Sequence, residues 1–191
     1  MGRQSREDSG GEARGRTGPG RELGELIGHF RFGMLVSETG DGELRSRPMT
    51  ILERRGVAAK GDSAGDSRLT FATGTDGELA ADLARREQTC LTLQDGARFV
   101  SLSCRAELSQ DRARLHELWS PELAAWFPSG PDGDEVVLVD CHVTHAEFWD
   151  AGGFARLSYA VEAGRAWLTD DRMRPGAAGR HGEVSGGELR G

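Results

Sequence analysis

At 191 residues, with 37% hydrophobic and 29% charged residues, the chain is long enough for one domain with a substantial core. A formal net charge of −7 argues against nucleic acid and anionic membrane as partners, since both select basic faces. No apolar run nears the ~18 residues of a bilayer span and no charged-then-apolar leader opens the chain, so a cytoplasmic protein is expected.

Residues 1–20 are Gly, Arg, Ser and Glu with almost no apolar side chain, and cannot offset their own ordering entropy. A disordered N-terminal extension is expected there. Leu23, Leu26, Ile27 and Phe30 then fall at i, i+3, i+4 and i+7, predicting a short amphipathic helix over Glu22–Phe30. Phe32–Ser37 reads as a strand, Thr39-Gly40-Asp41-Gly42 as a turn, and Glu43–Leu52 as the strand that pairs back. In that strand Arg45 and Arg47 share a face, and Pro48 removes a ladder donor. A proline there marks an edge, a bulge, or a place where something other than a strand lies alongside. The two arginines face either water or an anion.

Gly56–Asp66 is a loop of small and polar residues, and Leu69–Thr73 a third strand. Thr75-Asp76-Gly77-Glu78 has capping-box spacing, opening a helix that buries Leu79 and Leu83 and ends near Arg86. Gln88–Gln94 and Phe99–Leu108 are antiparallel strands around Asp95-Gly96. In the second, Val100, Leu102, Cys104, Ala106 and Leu108 alternate with Ser101, Ser103, Arg105 and Glu107, giving one dry and one wet face. Ser109 is placed to cap a helix through Leu118. Ser120-Pro121-Glu122 opens another in the favoured order, stopped by Pro128.

Val136–Val143 and Ala146–Asp150 are the last two strands. Phe154, Leu157, Val161 and Leu168 lie on a helical stripe. The expected organisation is an extension over 1–20, one domain with a C-terminal helix over 21–170, and a loose tail over 171–191. Many short antiparallel strands without a strand-helix-strand rhythm make this mainly β, a small barrel or sandwich.

Protein-only chemistry finds little support. His29, His116, His142, His145 and His181 are scattered, and His142 and His145 point oppositely on a regular strand, so no metal site is expected. Cys90, Cys104 and Cys141 show no metal spacing and read as reduced, buried small hydrophobes. There is no nucleophile elbow and no glycine-rich phosphate loop, so any chemistry is expected to come from a cofactor. Trp149, between Phe148 and Asp150 at a strand end, is either core or the border of a flat ligand.

Five motifs stand in register: Arg45-Ser46-Arg47-Pro48-Met49; Thr73 after a strand; Ser103-Cys104-Arg105-Ala106-Glu107-Leu108; Leu118-Trp119-Ser120-Pro121 with Ala125-Trp126-Phe127-Pro128; and Ala146-Glu147-Phe148-Trp149-Asp150. Together they resemble the general stress proteins of the pyridoxamine 5′-phosphate oxidase-like, FMN-binding split-barrel superfamily, over roughly 22–184. The resemblance implies a six-stranded antiparallel split β-barrel, a homodimer with its ligand site at the subunit interface, and FMN as cofactor, with FAD, haem or a deazaflavin as alternatives. It implies ring contacts from Arg47, Pro48, Met49 and Thr50, phosphate contacts from Ala72, Thr73 and Gly77, and Trp149 near the ring. Gly77 and Leu79 stand where such proteins carry a serine and a lysine for the phosphate. The chain is therefore expected to be either a flavin-binding protein, as an FMN-dependent oxidoreductase, or a non-enzymatic ligand-binding dimer with weak or lost flavin binding.

Overall fold

The computed structural model describes residues 19–56, 67–150 and 180–185. Helix α1 (Pro19–Ile27) turns Leu23, Leu26 and Ile27 inward, and Phe30 follows them into the core. Burying each such side chain contributes ~1.5–3 kcal/mol. Strands β1 (Phe32–Glu38) and β2 (Leu44–Thr50) form the expected hairpin, in register from Phe32 opposite Thr50 to Glu38 opposite Leu44. Gly42 takes φ +90° in the turn, a conformation that favours glycine.

The remaining elements are β3 (Glu53–Arg55), β4 (Arg68–Gly74), α2 (Glu78–Arg85), β5 (Gln88–Asp95), β6 (Arg98–Ser109), α3 (Arg112–Leu118), α4 (Pro121–Trp126), β7 (Val136–Asp150) and β8 (Arg180–Ser185). They build one antiparallel sheet in the order β2-β1-β5-β6-β7-β4-β3, with β8 added on β7. This is a mainly β split barrel, as the sequence implies. β2 is an edge of that sheet, which is where a strand carrying Pro48 belongs. Inside the curl, Leu35, Leu69, Phe71, Leu91, Leu102 and Val139 are fully buried. Leu79 and Leu83 of α2 join the same core.

Several expectations are corrected. The two last predicted strands are one fifteen-residue strand, β7, kept continuous by a bulge. Ser103 opposes His145 and Cys104 opposes Val143, so Thr144 is the extra residue, and its hydroxyl donates to the Ser103 carbonyl at 3.0 Å. The bulge also reverses the reading of the histidines. His142 opposes Arg105 and His145 opposes Ser103, so both face the wet side of β6. Residues 180–185, expected within a loose tail, form β8.

Thr75 caps nothing: Gly77 is the N-cap of α2, without a side-chain hydrogen bond, and the Thr75 hydroxyl donates to the Asp134 carbonyl at 2.8 Å. Ser109 is displaced as cap of α3 by Asp111, which accepts from the Arg114 amide at 3.1 Å. The cap at Ser120 holds, its hydroxyl accepting from the Leu123 amide at 3.3 Å. The stripe from Phe154 to Leu168 and most of the Gly56–Asp66 loop lie outside the described residues.

Candidate functional site

A cleft of about 600 Å³ opens where the end of β2 meets the end of β4. Pro48, Met49 and Thr50 form one wall, with Phe32 of β1 and Leu52 beside them. Ala72, Thr73 and Gly74 form the second. Leu123, Trp126 and Phe127 of α4 and its C-terminus form the third, with Glu122 at the rim. Alternation explains the first wall. Pro48 and Thr50 oppose Met34 and Phe32, both exposed, whereas Arg45 and Arg47 oppose Ser37 and Leu35, both buried. Ser46, Pro48 and Thr50 of β2 therefore face outward, whereas Arg45, Arg47 and Met49 share the other face, the arginines toward α2 and Met49 against the core.

An ion network fixes the helical wall. Arg114 of α3 clamps Asp140 of β7 with two bonds of 2.8 and 3.0 Å and reaches Glu53 of β3 at 3.0 Å. Thr70 of β4 donates to Asp140 at 2.7 Å, and Arg68 lies 3.5 Å from the same carboxylate. Burial raises the pKa of Asp140, but the bonds from Arg114 and Thr70 outweigh it and hold the carboxyl below its ordinary value. Glu53 behaves alike, with burial outweighed by Arg114 and Arg55. The bond to Asp140 raises Arg114 above its ordinary range despite burial. The network pins α3 to β3, β4 and β7. Beneath the cleft, Leu115, Val136 and Leu138 are buried, with Leu52, Ala72, Trp119 and Phe127 packed on them.

Five of the eight residues singled out from the sequence line the cleft: Pro48, Met49, Thr50, Ala72 and Thr73. Three do not. Arg47 turns inward, donating to the Ser37 hydroxyl at 3.0 Å and to Glu78 and Asp82 of α2 at 3.4 Å each. Gly77 starts α2, and its amide donates to the Gly74 carbonyl at 3.2 Å. Trp149 lies toward the far end of β7, opposite Phe99 and His181. Leu79, at the expected lysine position, is buried in the core.

Trp126, Phe127, Phe32 and Glu122 belong to the wall but were not singled out as site residues. The Trp126-Phe127-Pro128 helix stop was the signal for the two aromatics of α4, of which Trp126 is 80% exposed; Phe32 and Glu122 carried none. On the wet face, His145, Glu147 and Glu183 bring their ligand atoms within 4.8 Å of one another. Sequence spacing hid this trio because Glu183 arrives from β8, and an exposed imidazole–carboxylate pair of 3.6 Å between His145 and Glu183 accounts for it.

The model of the family described as pyridoxamine 5′-phosphate oxidase like matches residues 19–173. The chain belongs to this family. Among solved structures, the pyridoxamine 5′-phosphate oxidase-like fold aligns with a protein described as general stress protein 26 from Jannaschia sp., at 25% identity and a TM-score of 0.59, over 86% of this chain and 96% of that one. A general stress FMN/FAD binding protein from Xanthomonas citri is 28% identical, with a TM-score of 0.53, over 67% and 88% of the two chains. A heme binding protein from Mycobacterium smegmatis shares the fold at 13% identity and a TM-score of 0.60, over 92% and 61%. No curated protein matches the chain.

Proposed function

We propose that this pyridoxamine 5′-phosphate oxidase-like chain is a flavin-binding protein that works as a homodimer, with the isoalloxazine in the cleft between Pro48–Thr50 and Ala72–Gly74. The observation that carries the reading is the cleft itself. Its volume of about 600 Å³ suits a tricyclic ring, with apolar faces from Pro48, Met49, Ala72 and Trp126 and hydroxyls at Thr50 and Thr73. The similarity to a protein named for FMN/FAD binding supports the same choice over haem. The ring portion fits these walls. Among the described residues no cation lines the cleft itself, and Arg31, paired to Glu122 at 2.8 Å, is the guanidinium at its rim.

A dimer is supported by the apolar surface beside the site. Phe32 is 51% exposed and Trp126 80%, and Met34 and Leu44 are exposed on the same edge hairpin. A second copy covering this edge would close the cleft. Bound flavin supplies electron or hydride transfer, and the chain's residues supply orientation and exclusion of water. Among the described residues, the cleft's only acid or base is Glu122, which is ion-paired to Arg31 at 2.8 Å, so the reading assigns binding roles and no catalytic residue. An oxidoreductase is its enzymatic form. Its free cysteines suit a reducing compartment, and we place it in the cytoplasm. No helix among the described residues is long and apolar enough to cross a membrane.

Titration of the purified protein with flavin, read by tryptophan fluorescence and by the visible absorbance of the bound ring, tests the reading. Saturable quenching with a dimeric elution volume is expected. A colourless protein with no quenching at high flavin rejects it.

A further inference from the structure

Strands β7 and β8 bring three metal-ligating side chains together, toward the opposite end of β7 from the cleft. Thr73 of the cleft pairs with Val137, and His145 stands further along the same strand, roughly 25 Å away at the usual rise. The bulge at Thr144 turns His145 and Glu147 to the wet side of β6, opposite Ser103 and Ser101. Across the β7–β8 ladder, Glu147 faces Glu183 directly, and His145, opposite Ser185, is diagonal to Glu183. The ligand atoms of His145, Glu147 and Glu183 all lie within 4.8 Å of one another.

Two details set the trio apart from ordinary surface charge. Like charges directly opposite on neighbouring strands repel, yet Glu147 and Glu183 stand so, with Glu147 half-buried. The ion pair of His145 with Glu183 accounts for the approach of those two groups and leaves the opposition of Glu147 unexplained. Moreover, the 3.6 Å between His145 Nε2 and Glu183 Oε1 is too long for a hydrogen bond. It matches the separation of two ligand atoms on a tetrahedral zinc, roughly 3.3–3.6 Å for bonds of ~2.0–2.2 Å.

We infer that His145, Glu147 and Glu183 form a binding site for one zinc ion per chain, which fastens β8 to β7. A neutral imidazole and two carboxylates are a donor set that zinc accepts, their charge offsets that of the ion, and three protein ligands leave the fourth position to water. Placed between the facing carboxylates, the ion turns their repulsion into attraction. Because two ligands come from β7 and one from β8, the site is complete only when β8 is docked. Zinc binding and docking therefore favour each other by linkage.

The test is calorimetric titration of the chelator-treated, full-length protein with Zn²⁺. One ion per chain is expected. His145→Ala, Glu147→Gln and Glu183→Gln, all at solvent-facing positions, are each expected to weaken binding about tenfold or more. His142→Ala, on the same face beside Glu107 at 3.7 Å, is expected to leave it unchanged. No binding, binding that the three variants do not weaken (an adventitious ion only), or equal loss in His142→Ala overturns the site. Amide hydrogen exchange of the wild-type protein reads the fastening without any variant. Exchange at residues 182–185 is expected to slow when Zn²⁺ is added, and unchanged exchange there overturns the coupling to β8.

Discussion

Arg47 of β2 and Asp82 of α2 meet at 3.4 Å across the end of the barrel, with Asp82 almost fully buried and Arg47 largely so. The pair ties the edge strand that walls the cleft to the helix that follows β4. Removing the arginine leaves an uncompensated buried carboxylate. Arg47→Ala is therefore expected to cost about 2–3 kcal/mol of stability, read as a lower denaturant midpoint. Arg45→Ala, at an exposed ion pair, is expected to cost under ~1 kcal/mol. Equal effects would show that burial of Asp82 does not set the cost.

The Arg114 network makes a second prediction. Arg114→Ala removes the clamp on Asp140 and the bond to Glu53, leaving Thr70 and Arg68 on the first and Arg55 and Arg68 on the second, and is expected to destabilise by about 1.5–3 kcal/mol. Because α3 leads into the wall at Trp126, flavin affinity should weaken in the same variant. A loss of stability without a loss of affinity would separate the network from the cleft.

Acid should expose the same network. Asp140 and Glu53 both have folded pKa values below their ordinary ones. Their contribution is complete above the unfolded values of ~3.9 and ~4.3 and is lost as pH falls through the lowered folded values. Unfolding free energy should therefore decline below about pH 4, and Asp140→Asn should flatten that decline. The check is urea denaturation at stepped pH on both proteins.

Thiol reactivity gives a fourth. Burial raises Cys104 well above the ordinary thiol range and pushes Cys141 up to about 12, whereas Cys90 is half-exposed. In the native protein, a thiol reagent should modify Cys90 alone. Cys104 and Cys141 should react only in denaturant. Rapid native labelling at either would contradict the packing of β6 against β7.

Ser120 offers a local test. Its hydroxyl caps α4, so Ser120→Ala is expected to cost about 1 kcal/mol and to loosen the helix that carries Trp126. Quenching of tryptophan fluorescence by bound flavin should fall in proportion.

Much of this fold is legible in the sequence because it rests on short-range periodicity. The spacing of Leu23, Leu26, Ile27 and Phe30 gives α1, and the alternation from Val100 to Leu108 gives β6, since burial there follows backbone period. Pro48 alone points to the edge of the sheet. What periodicity does not carry is partner choice. Thr75 had capping-box spacing, yet the Asp134 carbonyl took its hydroxyl from 59 residues away. Asp111 outcompeted Ser109 because α3 starts two residues later than the serine would place it. One inserted residue, Thr144, turned two strands into one and put His142 and His145 on one face.

The candidate site divides in the same way. Pro48, Met49, Thr50, Ala72 and Thr73 were legible through the family resemblance that Arg45–Met49 and Thr73 help to carry. The destination of Arg47 was not, because it depends on carboxylates of α2 at sequence separations of 31 and 35.

The fifteen-residue strand β7 has a bearing on how the chain is made. Along one flank it pairs with β4 from Val136 to His142, and with β8 from His145 to Asp150. During synthesis, β4 is ready before β7 emerges, but β8 follows some thirty residues after β7 ends. Until the ribosome releases residues 180–185, the stretch from His145 to Asp150 carries open backbone donors and acceptors on that flank. A nascent chain stalled before that point would present a sticky edge, and shortened forms ending before Arg180 should aggregate where the full chain does not.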